Sequence, residues 1–388
     1  MGKEKRRFIV LSGFNINDNN RGTAALGYGA ISFLKVNNKL KDQNILKIRP
    51  YKNFFKLSNH KIVEENYIIS GNKIKIIILP VFYITYILFK KLGIILPFCR
   101  LRSYWKRVDF VAAINGGDGF SDIYGTKTFL ARLPESIQAM HTHKTLILLP
   151  QTIGPFKEKK NLLIAQKIMR YATSVYVRDN RFEENLKKMN IDYALTHDLS
   201  YFMQPEPFDI DIQENAIGLN ISGLAYSNNF RALSGKFENY PYLCEQIISL
   251  FQKLKKPIYL ISHSYNYEKA EKNNDDIEAS RNFYQTLKNK SGVILVDRNL
   301  TSPQTKYLIS KMSFFIGTRM HANFAAIFTK VPVFGLAYSY KFQGSFEKYG
   351  LFNQTAMINN IDRYTADQII KQIESTYNRL VTIKHCYQ

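Results

Sequence analysis

The sequence predicts an α/β protein of two Rossmann-like domains, each with a parallel sheet, facing each other across a central cleft. Short β-rich apolar runs alternate with stretches of helical apolar spacing, which is the pattern of parallel strands joined by crossover helices. The length of 388 residues exceeds that of one typical domain. A proline-rich break, Pro205-Glu206-Pro207, separates two such series, placing the domains at 1–204 and 205–388.

In the first series the strands fall at Phe8–Ser12, Ile45–Ile48, Phe110–Ile114, Thr145–Leu149 and Ser174–Val177, with the strand-like Tyr193–Leu195 before the break. Helical spacing marks Ala24–Leu34, Lys160–Tyr171 and Arg181–Met189. The second series reads as strands at Ala216–Asn220, Ile258–Ser262, Val293–Val296, Phe314–Gly317 and Val333–Leu336. Its helices are Tyr242–Leu254, Asp276–Leu287, Gln304–Lys311 and His321–Phe328. The strands end in polar or glycine-containing turns, and open α/β sheets bind ligands beyond such carboxyl ends. A terminal helix, 366–380, has no strand after it and is free to pack on either domain.

The insert 74–107 departs from this pattern. Apolar residues run almost unbroken from Ile76 to Phe89 across Pro80, followed by Lys90-Lys91, a second apolar patch ending in Pro97-Phe98, and the cations Arg100, Arg102, Lys106 and Arg107. The run falls short of the roughly twenty residues that span a bilayer. With Tyr83, Tyr86 and Trp105 beside the cations it fits a segment dipping into an anionic membrane surface. Its length fits equally a buried helix or an oligomer contact.

A net charge of +23 implies an anionic partner: a phosphate substrate, a nucleic acid or an acidic membrane surface. Charge alone does not choose among them. Cys99, Cys244 and Cys386 lie far apart without a C-x-x-C pair, which argues against a disulfide framework and a structural zinc site and favours a reducing, cytoplasmic setting. The basic start through Arg6 precedes an apolar run of only Phe8–Leu11, too short for a signal peptide, and Arg6 stands where a myristoylation signal wants Ser or Thr.

The densest chemical signal is Gly317-Thr318-Arg319-Met320-His321, a strand end running directly into a helix. It gathers a guanidinium, an imidazole and free helical N–H groups at one point, an arrangement suited to phosphate or carboxylate. Tyr338-Ser339-Tyr340-Lys341, past the next strand, adds a mobile cation at the same edge. In the first domain Val177-Arg178-Asp179 is again a strand end before a helix; Asp179 reads as a cap, whereas Arg178 has no such structural reason. Glycines in Asn115–Asp122 let backbone approach a ligand, and Asp118 and Asp122 read as turn and capping residues rather than a metal pair. Gln151-Thr152-Ile153-Gly154-Pro155 is a third turn of this kind.

Taken in order, Asn20-Arg21-Gly22, Gly116-Gly117-Asp118, Gln151–Pro155, Val177–Asp179, Asp198, Arg319–His321, Val331-Pro332-Val333 and Tyr338–Lys341 resemble the polysaccharide pyruvyl transferase family over most of the chain. The pattern departs at Gly22-Thr23, where the family has Gly-Asp. The resemblance implies a GT-B-like fold, phosphoenolpyruvate as co-substrate and a sugar hydroxyl pair as acceptor, with no metal and no other cofactor. By motif match Arg319 and His321 sit at the donor with Thr318, Lys341 and Arg178; an imidazole, with its pK near neutral, makes His321 the expected general acid. Acceptor candidates are Asn20, Arg21, Gly117, Asp118, Asp122, Gln151 and Asp198, with the base sought among the three aspartates. An undecaprenyl-linked acceptor would place the enzyme peripherally on the inner face of the cytoplasmic membrane. Two other readings are a GT-B sugar-nucleotide glycosyltransferase, for which Glu347 is the available ribose-binding acid, and a non-catalytic basic nucleic-acid-binding protein. Against the latter, the aromatics fall within strand and helix patterns, and no nucleic-acid motif is present.

Overall fold

The computed structural model describes residues 6–386; Lys3–Lys5 lie outside it, as do the side chains of Lys341 and of residues 382–386, Cys386 among them. The chain forms two compact units. One comprises the start through Ile16 together with Leu26–Met203, and the other comprises Asn17–Ala25 together with the chain from Gln204 onward. The segment Asn17–Ala25, expected in the first domain, thus belongs to the second unit. The helix Arg21–Val36 gives its first turn to that unit and the rest to the first.

The first unit is built on β1 (Phe8–Ser12), β2 (Asn44–Tyr51), β3 (Val63–Ile69), β4 (Asn72–Phe82), β5 (Val108–Ala113), β6 (Thr145–Gln151), β7 (Ser174–Val177) and β8 (Ala194–Leu195). Among the described residues they form one sheet in the order β3-β4-β2-β1-β5-β6-β7-β8, parallel except for β3 against β4. Every residue of β1 is buried, as a central parallel strand covered on both faces requires. The chain leaves β1 for β2 on one side and returns to β5 on the other, so the topological switch point lies between β1 and β5. There Gly13, at φ +71°, is so close to Asn115 that a Cβ would sit 3.1 Å from its backbone nitrogen.

The apolar run Ile76–Phe89 is not a single buried helix. Its first half is β4, hydrogen-bonded to β2 and β3, with Ile76, Ile77, Leu79 and Val81 buried; the second half enters the helix Tyr83–Leu92, whose Phe89 is also buried. Near-continuous hydrophobicity here reflects a strand covered on both faces. Pro80 is tolerated because the pairing with β3 stops at Ile78, so no ladder bond on that side needs its missing N–H.

The second unit carries β9 (Ile217–Asn220), β10 (Ile258–Leu260), β11 (Val293–Leu295), β12 (Phe314–Gly317), β13 (Val333–Ala337) and β14 (Thr355–Met357), all parallel, in the order β11-β10-β9-β12-β13-β14. Alternation sorts side chains to the two faces. Ile217, Leu219, Phe314 and Ile316 join the core under the helices Tyr240–Lys253 and Arg363–Cys386, whereas Phe315 joins the core under Ser302–Ser310 and Met320–Phe328. The terminal helix packs on this unit, its Tyr377 ring lying 5.3 Å from Phe251 and 5.5 Å from Phe314. Among the described residues no helix is long and apolar enough to cross a membrane.

Inside the helix Arg21–Val36, a Cβ on Gly29 would come within 1.8 Å of the Leu199 carbonyl oxygen, in the first unit. Replacing a mid-helix glycine by alanine normally stabilises by about 0.5–1 kcal/mol. Here Gly29→Ala is expected to destabilise by about 1–3 kcal/mol through overpacking, read as a lowered denaturant midpoint. A raised midpoint would show that the close approach is not real.

Candidate active site

The switch point of the second sheet lies between β9 and β12, and the chemistry-bearing residues gather at its carboxyl end. Asn220, the last residue of β9, accepts the Arg319 backbone N–H at 2.9 Å and donates to the Ile261 carbonyl at 3.0 Å. The centre is Asp276, fully buried at the start of the helix Asp276–Thr286. One of its oxygens accepts from the Gly223 N–H at 2.9 Å and from Arg319 Nη2 at 2.7 Å. The other accepts from the backbone N–H groups of His263 at 3.1 Å and Ser264 at 3.0 Å. Arg319 Nη2 also donates to the Asn274 carbonyl at 2.9 Å. Burial works against the Arg319 guanidinium, but the facing Asp276 carboxylate outweighs it and holds the group charged. Arg319 is therefore turned into the fold and its charge is matched, which differs from the open donor cation that the sequence suggested.

His321 stands in the first turn of the helix Met320–Phe328. Gly22 lies against its ring: a Cβ on Gly22 would be 2.7 Å from His321 Nδ1. The backbone of Asn17–Ala25 is pinned for this approach. Asn20 Oδ1 accepts the Gly22 N–H at 2.9 Å. Arg21 donates to the Leu300 carbonyl at 2.7 Å, the Asp18 carbonyl at 2.8 Å and Asn299 Oδ1 at 2.9 Å, and stacks 4.2 Å over the Tyr265 ring. Its own N–H donates to the His263 carbonyl at 2.9 Å, beside the bridge between Asn20 and Ser264. Asn20 and Arg21, taken from the sequence as first-domain acceptor residues, are thus structural members of the second unit.

His263 completes the cluster. It is buried, and its proton affinity is pushed well below the ordinary histidine value, first by burial and then by His321, Arg319 and Arg21. The place is a neutral imidazole beside cationic groups, with the buried Asp276 carboxylate paired to Arg319. An anion entering here would raise the proton affinity of His263. The Thr318 hydroxyl lies 2.7 Å from the Tyr240 hydroxyl in the buried floor, where burial raises the Tyr240 pKa well above the usual phenol value. Lys341 is in the first turn of the helix Tyr340–Glu347, after β13 and one strand over; its side chain is outside the described residues.

In the first unit the sequence-selected residues collect at the carboxyl ends of β5, β6 and β7. Arg178 forms a buried ion pair with Asp198 and donates to the Thr152 hydroxyl at 3.0 Å; burial opposes its charge and Asp198 restores it. This is the structural reason that the sequence did not reveal. Asp198 also caps the short helix Leu199–Phe202. Asp122 accepts from the N–H groups of Lys157 and Glu158 at 2.8 and 2.9 Å and from Asn161 at 3.0 Å. Burial alone would raise its pKa, but those bonds bring it below the usual carboxylate range. Gln151 is buried, bonded to Asn115 and to the Ala113 carbonyl. Gly117, at φ +80°, leaves room for Arg178, whose Nη1 a Cβ would approach to 3.0 Å. Asp118 is half-buried and accepts from the Tyr124 hydroxyl at 2.8 Å.

Sequence reasoning missed Asp276 and His263. Asn274-Asp275-Asp276 before a helical pattern reads as a cap, and Asp275 is one, accepting the Glu278 N–H at 3.0 Å. Nothing in the sequence separates Asp276 from it. His263 follows a strand by position, a signal that was available.

The sequence profile described as polysaccharide pyruvyl transferase matches residues 20–340. No curated protein matches at the level of sequence. Among solved structures, a putative UDP-N-acetylglucosamine 2-epimerase from Listeria monocytogenes is similar over 97% of this chain and 91% of its own, with a TM-score of 0.57 and 10% identity. The UDP-GlcNAc 2-epimerase from Neisseria meningitidis bound to UDP-GlcNAc is similar over 97% and 94%, with a TM-score of 0.54 and 10% identity. At such identity the likeness concerns the fold alone, the GT-B-like two-domain α/β architecture of these epimerases.

Two outcomes follow from this geometry. Asp276→Asn leaves Arg319 as an uncompensated buried cation and is expected to lower stability by about 3–5 kcal/mol in denaturant titration. Because the folded-state pKa of His263 is depressed, the unfolded chain takes up that proton first. The resulting penalty is absent above about pH 6.5 and grows as pH falls below it. His263→Gln should therefore flatten the loss of thermal stability between neutral pH and pH 5. An unchanged slope would mean that His263 is solvated.

Proposed function

The chain belongs to the polysaccharide pyruvyl transferase family, and from that premise we propose that it transfers the carboxyvinyl group of phosphoenolpyruvate to a pair of sugar hydroxyls, closing a cyclic ketal and releasing phosphate. The observation that supports this most is the meeting of Gly22 with His321, which joins the Asn20–Gly22 and Arg319–His321 motifs beside His263 in one unit. Phosphoenolpyruvate carries a phosphate and a carboxylate on one small frame, and its charge calls for the cations that the motifs bring together here, Arg21 and Arg319, the latter shared with Asp276.

In this scheme His321 delivers a proton to the vinyl CH2, making it a methyl group and leaving positive charge on the adjacent carbon. The first sugar hydroxyl adds there and gives up its proton, which returns the general acid to its protonated form. The carbon–oxygen bond to phosphate then breaks, assisted by the new ether oxygen. The second hydroxyl adds to the same carbon, and its proton leaves with phosphate. Arg319, clamped by Asp276, positions the strand-end turn that presents His321, and Lys341 supplies a further cation to the donor. His263 starts neutral and gains proton affinity when the trianion binds, so binding is accompanied by proton uptake. We assign the acceptor sugar, a galactose or other hexose of a cell-surface or lipid-linked glycan, to the strand-end loops of the first unit. Asp118, which accepts from Tyr124, stands there with Asp122 and Asp198, the three candidates for relaying the hydroxyl protons.

Incubation with phosphoenolpyruvate and a set of galactosides should release phosphate and add the mass of one pyruvate ketal. His321→Ala should lower turnover by at least about 100-fold while circular dichroism is unchanged. Near-normal ketal formation by that variant would remove His321 from the mechanism. Turnover of nucleotide sugars with phosphoenolpyruvate inert would overturn the reaction itself.

A further inference from the structure

The first unit carries a surface that the chemistry above leaves unused. The loop 52–62 after β2 and the stretch 82–107, which holds the helices Tyr83–Leu92 and Arg100–Trp105, together contain nine lysines and arginines and no aspartate or glutamate. The two segments adjoin in space. Lys52 Nζ lies 5.0 Å over the Tyr83 ring, the Phe54 ring lies 5.6 Å from Phe82, and Arg100 Nη1 donates to the His60 carbonyl at 2.8 Å. Bare apolar side chains stand on this basic ground: Phe55 is 93% exposed, Leu57 81% and Phe98 104%, with Phe54 and Ile84 also exposed. Phe98 is held outward at φ 62°, a left-handed conformation uncommon for an aromatic residue.

An apolar cluster of this kind on a folded protein marks an interaction site. A second copy of the chain packed through the same face would bring two sets of these cationic segments together, which repel. A single-stranded nucleic acid would satisfy the cations, but Leu57 and Ile84 offer its bases no aromatic plane. An anionic bilayer satisfies both features, with acidic headgroups for the cations and the acyl boundary for the phenylalanines. We propose that this face of the first unit docks peripherally on an anionic phospholipid membrane, Phe55 and Phe98 entering the headgroup boundary while Lys52, Lys56, Lys61 and Arg100 meet the acidic headgroups.

The loop 52–62 and the start of the helix Tyr83–Leu92 lie at the carboxyl ends of β2 and β4, which run parallel to β1, β5 and β6, so they share a sheet end with the Asn115–Asp118 and Gln151 loops. If the reaction proposed above holds, docking brings a lipid-linked acceptor to the end of the sheet where those loops stand. The docking itself does not depend on that reaction.

Cosedimentation of the full chain, without donor or acceptor, compares vesicles of phosphatidylcholine with vesicles of phosphatidylcholine and phosphatidylglycerol. Binding is expected to the mixed vesicles and to weaken with salt. The triple variant K52Q/K56Q/K61Q should weaken partitioning on the order of 100-fold. Phe55→Ser with Phe98→Ser should weaken it by at least about tenfold at unchanged circular dichroism. All five side chains are exposed, and should one variant misfold the other set decides. The proposal is overturned by absence of binding to both vesicles, by variants that bind as the parent does, or by variants that instead abolish a dimer or single-strand DNA binding. Since no substrate is present, failure here leaves the ketal chemistry untouched, and failure of that chemistry leaves docking standing.

Discussion

The buried ion pair between Asp276 and Arg319 organises the second unit. Attraction between two buried charges is largely offset by their desolvation, so the pair adds little net stability; what it supplies is registry. Asp276 receives N–H groups from the turns after β9 and β10 as well as the guanidinium that follows β12. Three strand ends are thereby fixed to one carboxylate, and the position of His321, two residues beyond Arg319, follows from theirs. Losing either partner strands the other charge in the interior, a far larger cost than the pair's own net contribution.

The same turn after β10 explains why Asn17–Ala25 leaves the unit in which the chain begins. The backbone around His263 and Ser264, once held by Asp276, offers a carbonyl to the Arg21 N–H and a bridge to Asn20. Arg21 then fills its donors on Asp18, Asn299 and Leu300 and stacks on Tyr265. Gly22 is required where it stands because the next contact is the His321 ring. A glycine, an asparagine and an arginine near the start of the sequence are thus explained by residues that come more than two hundred positions later.

Much of the fold was legible because parallel strands buried on both faces must be continuously apolar; Phe8–Ser12 and Phe314–Gly317 were read at their observed bounds. That rule also misled at Ile76–Phe89, where a covered strand and a short helix join without a polar break and read as one apolar segment. β3 and β14 were missed because each is an edge strand, β3 mostly exposed and β14 only three residues long, and neither carries the buried periodicity that identifies a strand. At the site, motifs located Arg319 and His321, but a side chain's direction is not written in a motif. Arg319 and Arg178 both read as ligand cations, and both are turned onto aspartates of other segments, 43 and 20 positions away.

That distinction bears on the net charge of +23. The two arginines with strongest sequence signals contribute nothing to it once Asp276 and Asp198 are counted, because each pair is neutral and out of solvent. The excess must sit on cations with no acid nearby, and the acid-free stretches 52–62 and 82–107 are where it concentrates in the first unit. Unpaired surface cations act at a range set by the Debye length, about 8 Å at physiological salt, and suit a broad anionic surface. Arginines clamped on aspartates act at contact distance, inside the fold. A single compositional excess therefore covers two kinds of basic residue, and only burial and partner geometry tell them apart.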